Sequence, residues 1–172
     1  MEQNTFTSGP IRPISEHEIG TSMFTDYTLL SNSGHNLVYR AMSSGRWWVL
    51  KAVKADDGAY ARNLQLLQRE FDIMYPLNCI YVVQSVQMVD DPKVGKAILM
   101  EYVDGRTLSE FLQENPSAKM RRQVLNELLE ALSYLHHKGV VHGDLKPDNV
   151  LISTNGNHTR LIDFGFADSD DY

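Results

Sequence analysis

Two charged side chains lie at positions where the hydrophobic pattern predicts burial. Period-two alternation in a predicted strand puts Lys51 on the same face as Val49 and Val53. In a predicted helix, Glu70 lies on the inward stripe with Leu67 among its neighbours. A lone lysine can extend its stem to water, but two opposite charges that face one core are costly apart and stabilise each other. The sequence therefore predicts a buried Lys51–Glu70 pair, which a purely structural role would also explain.

A polar run further along the chain could supply chemistry to this pair. Residues 142–149 read HGDLKPDN, and a DFG triplet follows at 163–165. Asn149 and Asp163 carry the hard oxygen atoms that magnesium prefers. A lysine and a bound metal ion together could neutralise the oxygens of a phosphoryl group during its transfer.

These motifs resemble those of eukaryotic-type serine/threonine protein kinases, from about residue 26 to residue 172. That family has a strand lysine, a helix glutamate, a catalytic loop ending in asparagine, and DFG. Lys51 and Glu70 are 19 positions apart, as the family's pair usually is. The resemblance implies an α+β, protein-kinase-like fold with ATP and Mg²⁺ as cofactors. It also implies transfer of the γ-phosphoryl group to a serine or threonine hydroxyl of a protein.

The resemblance also implies a role for each polar residue. Lys51 would hold the α and β phosphates, and Glu70 would position it. Asp144 would accept a hydrogen bond from the incoming hydroxyl and act as base, with Lys146 near the γ phosphate. The implied metal ligands are Asn149 and Asp163, and His142 and Phe164 would pack beneath the loop.

The adenine site follows from the same comparison. Residues 100–103 resemble the hinge between the two lobes, with Met100 at the gatekeeper position. The hinge backbone, including Glu101 and Val103, would bond the base. The apolar residues implied above and below the ring are Val38, Val49 and Leu151.

The loop expected to cover the phosphates departs from the family's G-x-G-x-x-G-x-V pattern. Counting back from Val38 puts Ser31, Ser33 and Asn36 where the three glycines belong, and only Gly34 remains. Glycine lets backbone amides approach phosphate closely. We therefore expect a lower affinity for ATP, with Ser33 and Gly34 still among the nucleotide-binding residues. This departure favours an alternative, a pseudokinase-like module that binds nucleotide or protein with little or no catalysis.

A second departure is Gly143, which precedes the aspartate that the resemblance implies is catalytic, where many family members have arginine. In those kinases the arginine binds a phosphorylated activation loop, so the resemblance implies no dependence on such phosphorylation. HGD also occurs in small-molecule phosphotransferases. Lys146 followed by Pro147 favours the protein-kinase branch instead.

Periodicity and turn signals predict the elements that must position these residues. A capping box at Thr107 and Glu110, and a second cap at Ser117, predict two helices in the second half of the chain. The expected result is a five-stranded antiparallel sheet with one helix, followed by an incomplete helical lobe. The predicted strands are 26–30, 37–42, 46–54, 81–89 and 96–102, with a small hairpin at 150–152 and 161–162; the predicted helices are 60–75, 107–114 and 118–137.

The predicted domain organisation is a polar leader at 1–25, an N-lobe with the hinge at 26–103, and a partial C-lobe at 104–172. Nothing after Gly165 resembles the later helices of the family's large lobe. We therefore expect the apolar face of helix 118–137 to be partly uncovered. Such a surface is typical of a protein interface or of a site prone to aggregation. An engineered truncation, a proteolytic fragment and a chain completed by self-association all fit this pattern.

Bulk composition excludes several classes. A formal charge of −6 gives no basic footprint for nucleic acid, although it suits a basic protein substrate. Residues 1–20 contain no apolar run, so neither a signal peptide nor a membrane anchor is predicted. The single cysteine, Cys79, excludes a disulfide framework and fits the cytoplasm.

Overall fold

A five-stranded antiparallel sheet occupies the first half of the computed structural model, which describes residues 22–55 and 58–170. Its strands are β1 (Thr25–Ser33), β2 (Asn36–Ser43), β3 (Arg46–Val53), β4 (Ser85–Asp91) and β5 (Gly95–Glu101). They lie in the order β1-β2-β3-β5-β4, so β3, which carries Lys51, is the central strand. The predicted sheet is confirmed, and its central strand is the most protected place for a buried charge.

The first hairpin is tighter than predicted. The sequence favours a six-residue connection at 31–36, but β1 continues to Ser33 and β2 begins at Asn36, which pairs with it. Serine, asparagine and glycine are turn signals, yet here only Gly34 and His35 form the turn. Gly34 has a φ of +53°, the left-handed conformation that favours glycine.

The fourth strand begins later than predicted, because residues 81–83 pair with Leu161 and not with β5. The amide of Leu161 donates to the carbonyl of Tyr81, and the amide of Val83 donates to the carbonyl of Leu161. The apolar character of 81–83 therefore reflects burial against the second half of the chain. The Gln84 carbonyl accepts from the amide of Glu101 in β5, and the β4–β5 ladder begins at Ser85.

One helix, α1 (Tyr60–Met74), packs on the sheet against β3, β4 and β5. It ends just before Pro76, as predicted. Its buried residues include Leu67, Ile73 and Met74 together with Glu70, which is 4% exposed. The helix thus carries one carboxylate into the core that faces β3.

The second half combines helices with short strand pairs. Both predicted caps are confirmed: Thr107 and Glu110 form the reciprocal capping box, and Ser117 accepts from the amide of Met120. The helices are α2 (Leu108–Gln113) and α3 (Ala118–His137), and a 3-10 turn spans Pro147–Asn149. The strands are β6 (Gly105–Thr107), β7 (Val140–Val141), β8 (Val150–Ser153), β9 (Thr159–Leu161) and β10 (Asp168–Ser169). They form a three-stranded sheet in the order β6-β8-β9 and a β10-β7 pair; β6, β7 and β10 are too short for periodicity to predict.

Two hydrophobic clusters hold these elements together. The larger joins the two halves, with Leu67 and Ile98 from the first and Leu135, Leu161 and Phe164 from the second. The smaller lies among β2, β3 and β5 and includes Phe24, a residue within the predicted leader that is only 4% exposed.

The apolar stripe of α3 expected to be partly uncovered contains three half-buried residues, Met120, Leu128 and Leu132. Val124, Ala131 and Leu135 lie in the core. The exposed leucines are on a neighbouring face, where Leu125 and Leu129 are 55% and 56% exposed. Across the described residues, we find no helix with both the length and the apolar character needed to cross a membrane.

Candidate active site

Lys51 lies at the centre of a buried charge cluster. Its ammonium is 2.7 Å from Glu70 Oε1 and 2.7 Å from Asp163 Oδ1. The same Glu70 oxygen accepts a hydrogen bond from the amide of Phe164. Strand β3, helix α1 and the DFG segment therefore meet at one lysine, which is 5% exposed.

The electrostatics of the cluster favour a charged lysine. Burial alone would lower the pKa of Lys51, but the attraction of Glu70 and then Asp163 outweighs it, and the pKa is raised. Burial likewise tends to raise the pKa of Asp163, but Lys51 outweighs that and the pKa is lowered. Burial raises the pKa of Glu70, and Lys51 opposes the rise. Lys51 therefore carries a fixed positive charge at neutral pH beside a partly exposed carboxylate.

The backbone at Asp163 is strained. Its φ is +63°, a region that a non-glycine residue occupies at a cost of about 1–3 kcal/mol. A buried histidine supports this turn: His142 Nδ1 accepts from the amide of Asp144, so Nε2 carries the proton that bonds the Ile162 carbonyl. Burial lowers the pKa of His142, consistent with a neutral ring, and Phe164 packs edge-on against it at 4.8 Å.

The predicted catalytic loop, residues 142–149, is organised around Asp144. Lys146 Nζ is 2.6 Å from Asp144 Oδ2, and Asn149 Nδ2 donates to the same oxygen and to the Asp144 carbonyl. The hydrogen bond from Lys146 is the main reason that the pKa of Asp144 is lowered. Asp144 is thus an ionised, partly exposed carboxylate with a fixed orientation.

The oxygens of Asn149 and Asp163 fit a magnesium ion. The β8–β9 hairpin brings the two residues together, since the Ile162 amide bonds the Asn149 carbonyl. The Asn149 amide group uses its nitrogen toward Asp144, which leaves Oδ1 for a ligand. The described residues contain no group of three histidine, cysteine or acidic side chains able to hold a metal ion. Two hard oxygens suit Mg²⁺, which usually keeps several waters and binds phosphate oxygens beside one or two protein ligands.

The residues predicted to lie above and below the adenine ring are on three strands, β2, β3 and β8. Val38 lies opposite Lys51 in the β2–β3 ladder, Val49 lies opposite Met100 in the β3–β5 ladder, and Leu151 pairs with Thr107. Met100 is buried, whereas Val38, Val49 and Leu151 are half-buried.

Two residues of the predicted hinge, Glu101 and Val103, differ in their hydrogen bonds. The Val103 backbone forms no hydrogen bond to any described residue, so it is free to bond a base. The Glu101 amide donates to the Gln84 carbonyl and its carboxylate accepts from the Gln84 amide, so the Glu101 N–H is already bonded within the protein. A cavity of about 430 Å³ adjoins Glu101, but none of the charged catalytic candidates lines it.

Comparison with known families decides the classification of this arrangement. The family model described as the protein kinase domain matches residues 32–170. This chain belongs to the protein kinase domain family.

Curated relatives of this kinase domain include proteins named as kinases from yeast, plants and bacteria. The chain is 36% identical to serine/threonine-protein kinase cds1 of Schizosaccharomyces pombe, with 73% of the chain and 28% of that protein covered. It is 32% identical to mitogen-activated protein kinase kinase 7 of Arabidopsis thaliana, over 90% of the chain and 50% of that protein. Identity to serine/threonine-protein kinase pkn2 of Myxococcus xanthus is 34%, over 80% of the chain and 17% of that protein. The chain therefore spans half or less of the length of these relatives.

The predicted phosphate loop of this kinase domain closes as a hairpin despite its missing glycines, with a shift in the β1–β2 register between Leu29 and Ser31. Lys54 Nζ donates to the Gly34 carbonyl at 2.7 Å, and the Lys54 amide bonds the His35 carbonyl. The Ser31 and Ser33 hydroxyls lie 3.4 Å apart. Sequence reasoning did not single out Lys54, and the position at the end of a strand gives no signal of its contact with the loop tip.

Proposed function

We propose that this kinase domain binds ATP with Mg²⁺ and transfers the γ-phosphoryl group to a serine or threonine hydroxyl of a protein. The observation that carries the proposal is the Lys51 ammonium, held 2.7 Å from both Glu70 and Asp163. A structural ion pair requires one carboxylate. The second carboxylate, beside Asn149 and 42% exposed in its side chain, adds a hard ligand next to a fixed cation.

The residues around Asp144 suit a hydroxyl acceptor. Its lowered pKa keeps the carboxylate ionised at neutral pH, so it can accept a hydrogen bond and then the proton of the attacking hydroxyl. The hydroxyl oxygen bonds to the γ-phosphorus while the bond to the β-phosphate oxygen breaks, and ADP leaves. Lys146, paired with Asp144 at 2.6 Å, would stabilise charge on the transferred group.

Lys51 and the two oxygen ligands would act on the rest of the nucleotide. Lys51 would bond the α and β phosphates, while Asn149 and Asp163 would hold the metal ion. When bound, Mg²⁺ neutralises charge on the phosphate oxygens. Val38, Val49 and Leu151 would enclose the adenine, and the free Val103 backbone would bond its edge.

The proposed acceptor residue and substrate charge follow from the relatives' names and from the composition of the chain. The names of two relatives describe serine/threonine-protein kinases, which supports a serine or threonine acceptor. The net charge of −6 suits a basic protein segment. A cytoplasmic location stays a prediction from the single cysteine.

A second candidate function is nucleotide binding with little or no transfer. The observation that favours it is the phosphate loop, where Ser31, Ser33 and Asn36 replace glycine. These side chains keep the backbone amides further from phosphate, although their hydroxyl and amide groups can donate hydrogen bonds themselves.

A thermal-shift experiment tests the binding step shared by both candidates. Millimolar ATP with Mg²⁺ at about ten times the dissociation constant should raise the melting temperature by about 4 °C. Asp163→Asn should remove most of the magnesium-dependent part, whereas ATP alone should give similar shifts in both proteins. A wild-type chain with no shift at any nucleotide concentration would contradict both candidates.

A transfer assay then separates the two functions. Asp144→Asn should keep the nucleotide-induced shift, because Asp144 contacts the hydroxyl and not the adenine, and should abolish phosphorylation of a basic serine peptide. Equal phosphate incorporation by the wild type and Asp144→Asn, at the background level, would favour the binding module.

A further inference from the structure

The segment after the DFG motif is tied to the strand that leads into the catalytic loop. Strand β10 pairs antiparallel with β7, with Asp168 opposite Val141. One residue further on, the Asp170 amide donates to the Gly139 carbonyl at 3.1 Å. The segment therefore has a defined path within the described chain.

The catalytic loop approaches this segment too closely for a side chain. Gly143 has a φ of +77°, and a Cβ atom built there would lie 2.1 Å from the Phe166 carbonyl oxygen. The backbone of Gly143 therefore packs directly against the backbone of Phe166. Gly143 therefore fixes the segment by contact, and a large phosphate-binding side chain cannot occupy this position in the observed arrangement.

Helix α1 holds the other side of the segment through an arginine. Arg69 Nη2 is 2.7 Å from Asp168 Oδ1, and the Ser169 amide donates to the same oxygen. Arg69 directly precedes Glu70, whose Oε1 accepts from the Phe164 amide and from Lys51. Adjacent residues of one helix thus bind both ends of the segment from Phe164 to Asp168.

We infer that Arg69 is a positioning residue that keeps Glu70 in contact with Lys51. The Arg69–Asp168 pair joins α1 to the segment at a second point, so α1 cannot turn about its axis and withdraw Glu70 without breaking it. The carboxylate of Asp168 is part of the chain, so the Arg69–Asp168 ion pair forms without an added phosphoryl group. This inference rests on the proposed function for its consequence, since a displaced Glu70 would leave Lys51 badly placed for phosphates.

The expected effect is modest, because the pair is solvent-exposed. The side chains of Arg69 and Asp168 are 43% and 75% exposed, and measured exposed pairs change an equilibrium by up to about fivefold. A coupling measurement is therefore more informative than a single substitution.

Hydrogen exchange in the nucleotide-free chain tests the inference directly. The reporter is the Phe164 amide, which exchanges only when its bond to Glu70 opens. Arg69→Ala and Asp168→Asn should each speed its exchange by about two- to fivefold, and the double variant should go no further than either single variant. The charge-swapped protein, Arg69→Asp with Asp168→Arg, should restore most of the protection.

Controls separate this role from a general loss of stability. Arg62→Ala removes an exposed arginine from the same helix and should leave the Phe164 exchange rate unchanged. Additive effects of the two single variants, or failure of the swap to restore protection, would overturn the inference. Because no nucleotide is present, a failed ATP shift would count against the proposed function and leave this result standing.

Discussion

At the scale of single residues, Lys51 contributes both to the stability of the fold and to the proposed phosphoryl transfer, because its ammonium pairs with both Glu70 and Asp163. Lys51→Met leaves Glu70 buried without its cation, and breaking a buried pair costs about 3–5 kcal/mol. We expect loss of stability in urea unfolding together with loss of phosphoryl transfer. The double variant Lys51→Met with Glu70→Leu should recover most of the stability and none of the transfer. Recovered transfer in the double variant would refute the phosphate-binding role of Lys51.

Gly143 gives a second residue-scale prediction, because two separate effects oppose a side chain there. Gly143→Ala must accept a left-handed φ, at about 1–2 kcal/mol, and must also displace the Phe166 carbonyl, 2.1 Å from the new Cβ. Gly45 is a matched control, since its φ is +73° and its Cβ would meet nothing within 4 Å. In denaturant unfolding, Gly143→Ala should lose clearly more stability than Gly45→Ala. Equal losses would show that the contact with Phe166 relaxes freely.

The sequence predicts single site residues better than the contacts among them. Lys51 and Glu70 are recognisable because each breaks an apolar pattern that is local, with a period of two or 3.6 residues. The pairing of Lys51 with Asp163 spans 112 positions, and that of Arg69 with Asp168 spans 99. No local pattern encodes such separations. The left-handed φ of Asp163 is likewise a product of the surrounding packing.

At the scale of elements, one buried carboxylate joins helix α3 to the β8–β9 hairpin. Glu127 is 6% exposed and accepts from the Thr159 amide at 2.7 Å, from Gln123 and from His158. This hairpin leads directly into Asp163. Glu127 therefore fixes the strand that precedes a candidate metal ligand, although Glu127 lies outside the candidate active site.

The pH dependence of the free energy of unfolding tests the hydrogen bonds between Glu127 and the β8–β9 hairpin. Burial would raise the pKa of Glu127, but the hydrogen bonds from Thr159, Gln123 and His158 outweigh it, and the pKa is lowered. A lowered pKa in the folded state contributes stability above the unfolded value of about 4.5, lost as pH falls through the folded value. Glu127→Gln should cost about 1–3 kcal/mol at pH 7, and the difference from wild type should shrink below about pH 4. A difference that stays constant down to pH 3 would contradict an ionised Glu127.

Elements are predictable from sequence where their signals are local. The capping box at Thr107 and Glu110 has a three-residue spacing with one physical meaning, and helix α2 begins where it predicts. In contrast, β7 and β10 have two residues each and exist only because they pair with each other. Glu127 illustrates the same limit, since its partner Thr159 is 32 positions away.

At the scale of the whole molecule, the described chain presents apolar side chains that its own core does not cover. Leu125 and Leu129 are four positions apart on one face of α3 and are 55% and 56% exposed. Contiguous exposed apolar surface marks interaction sites in soluble proteins. Burying two such leucines against a second copy would remove apolar area worth about 25 cal/mol per Å².

We therefore expect concentration-dependent self-association of this chain through α3. Light scattering should show an average mass that rises toward that of a dimer as concentration increases. Leu125→Lys with Leu129→Lys should hold the protein at the mass of one chain, because two ammonium groups cannot be buried at a symmetric contact without partners. Leu66→Lys, which alters a 49% exposed leucine on α1, is the matched control and should associate like the wild type. A wild-type chain that stays monomeric at high concentration would show that this face is merely solvated, since the apolar area of two leucines alone would then be too small to offset the entropy lost on association.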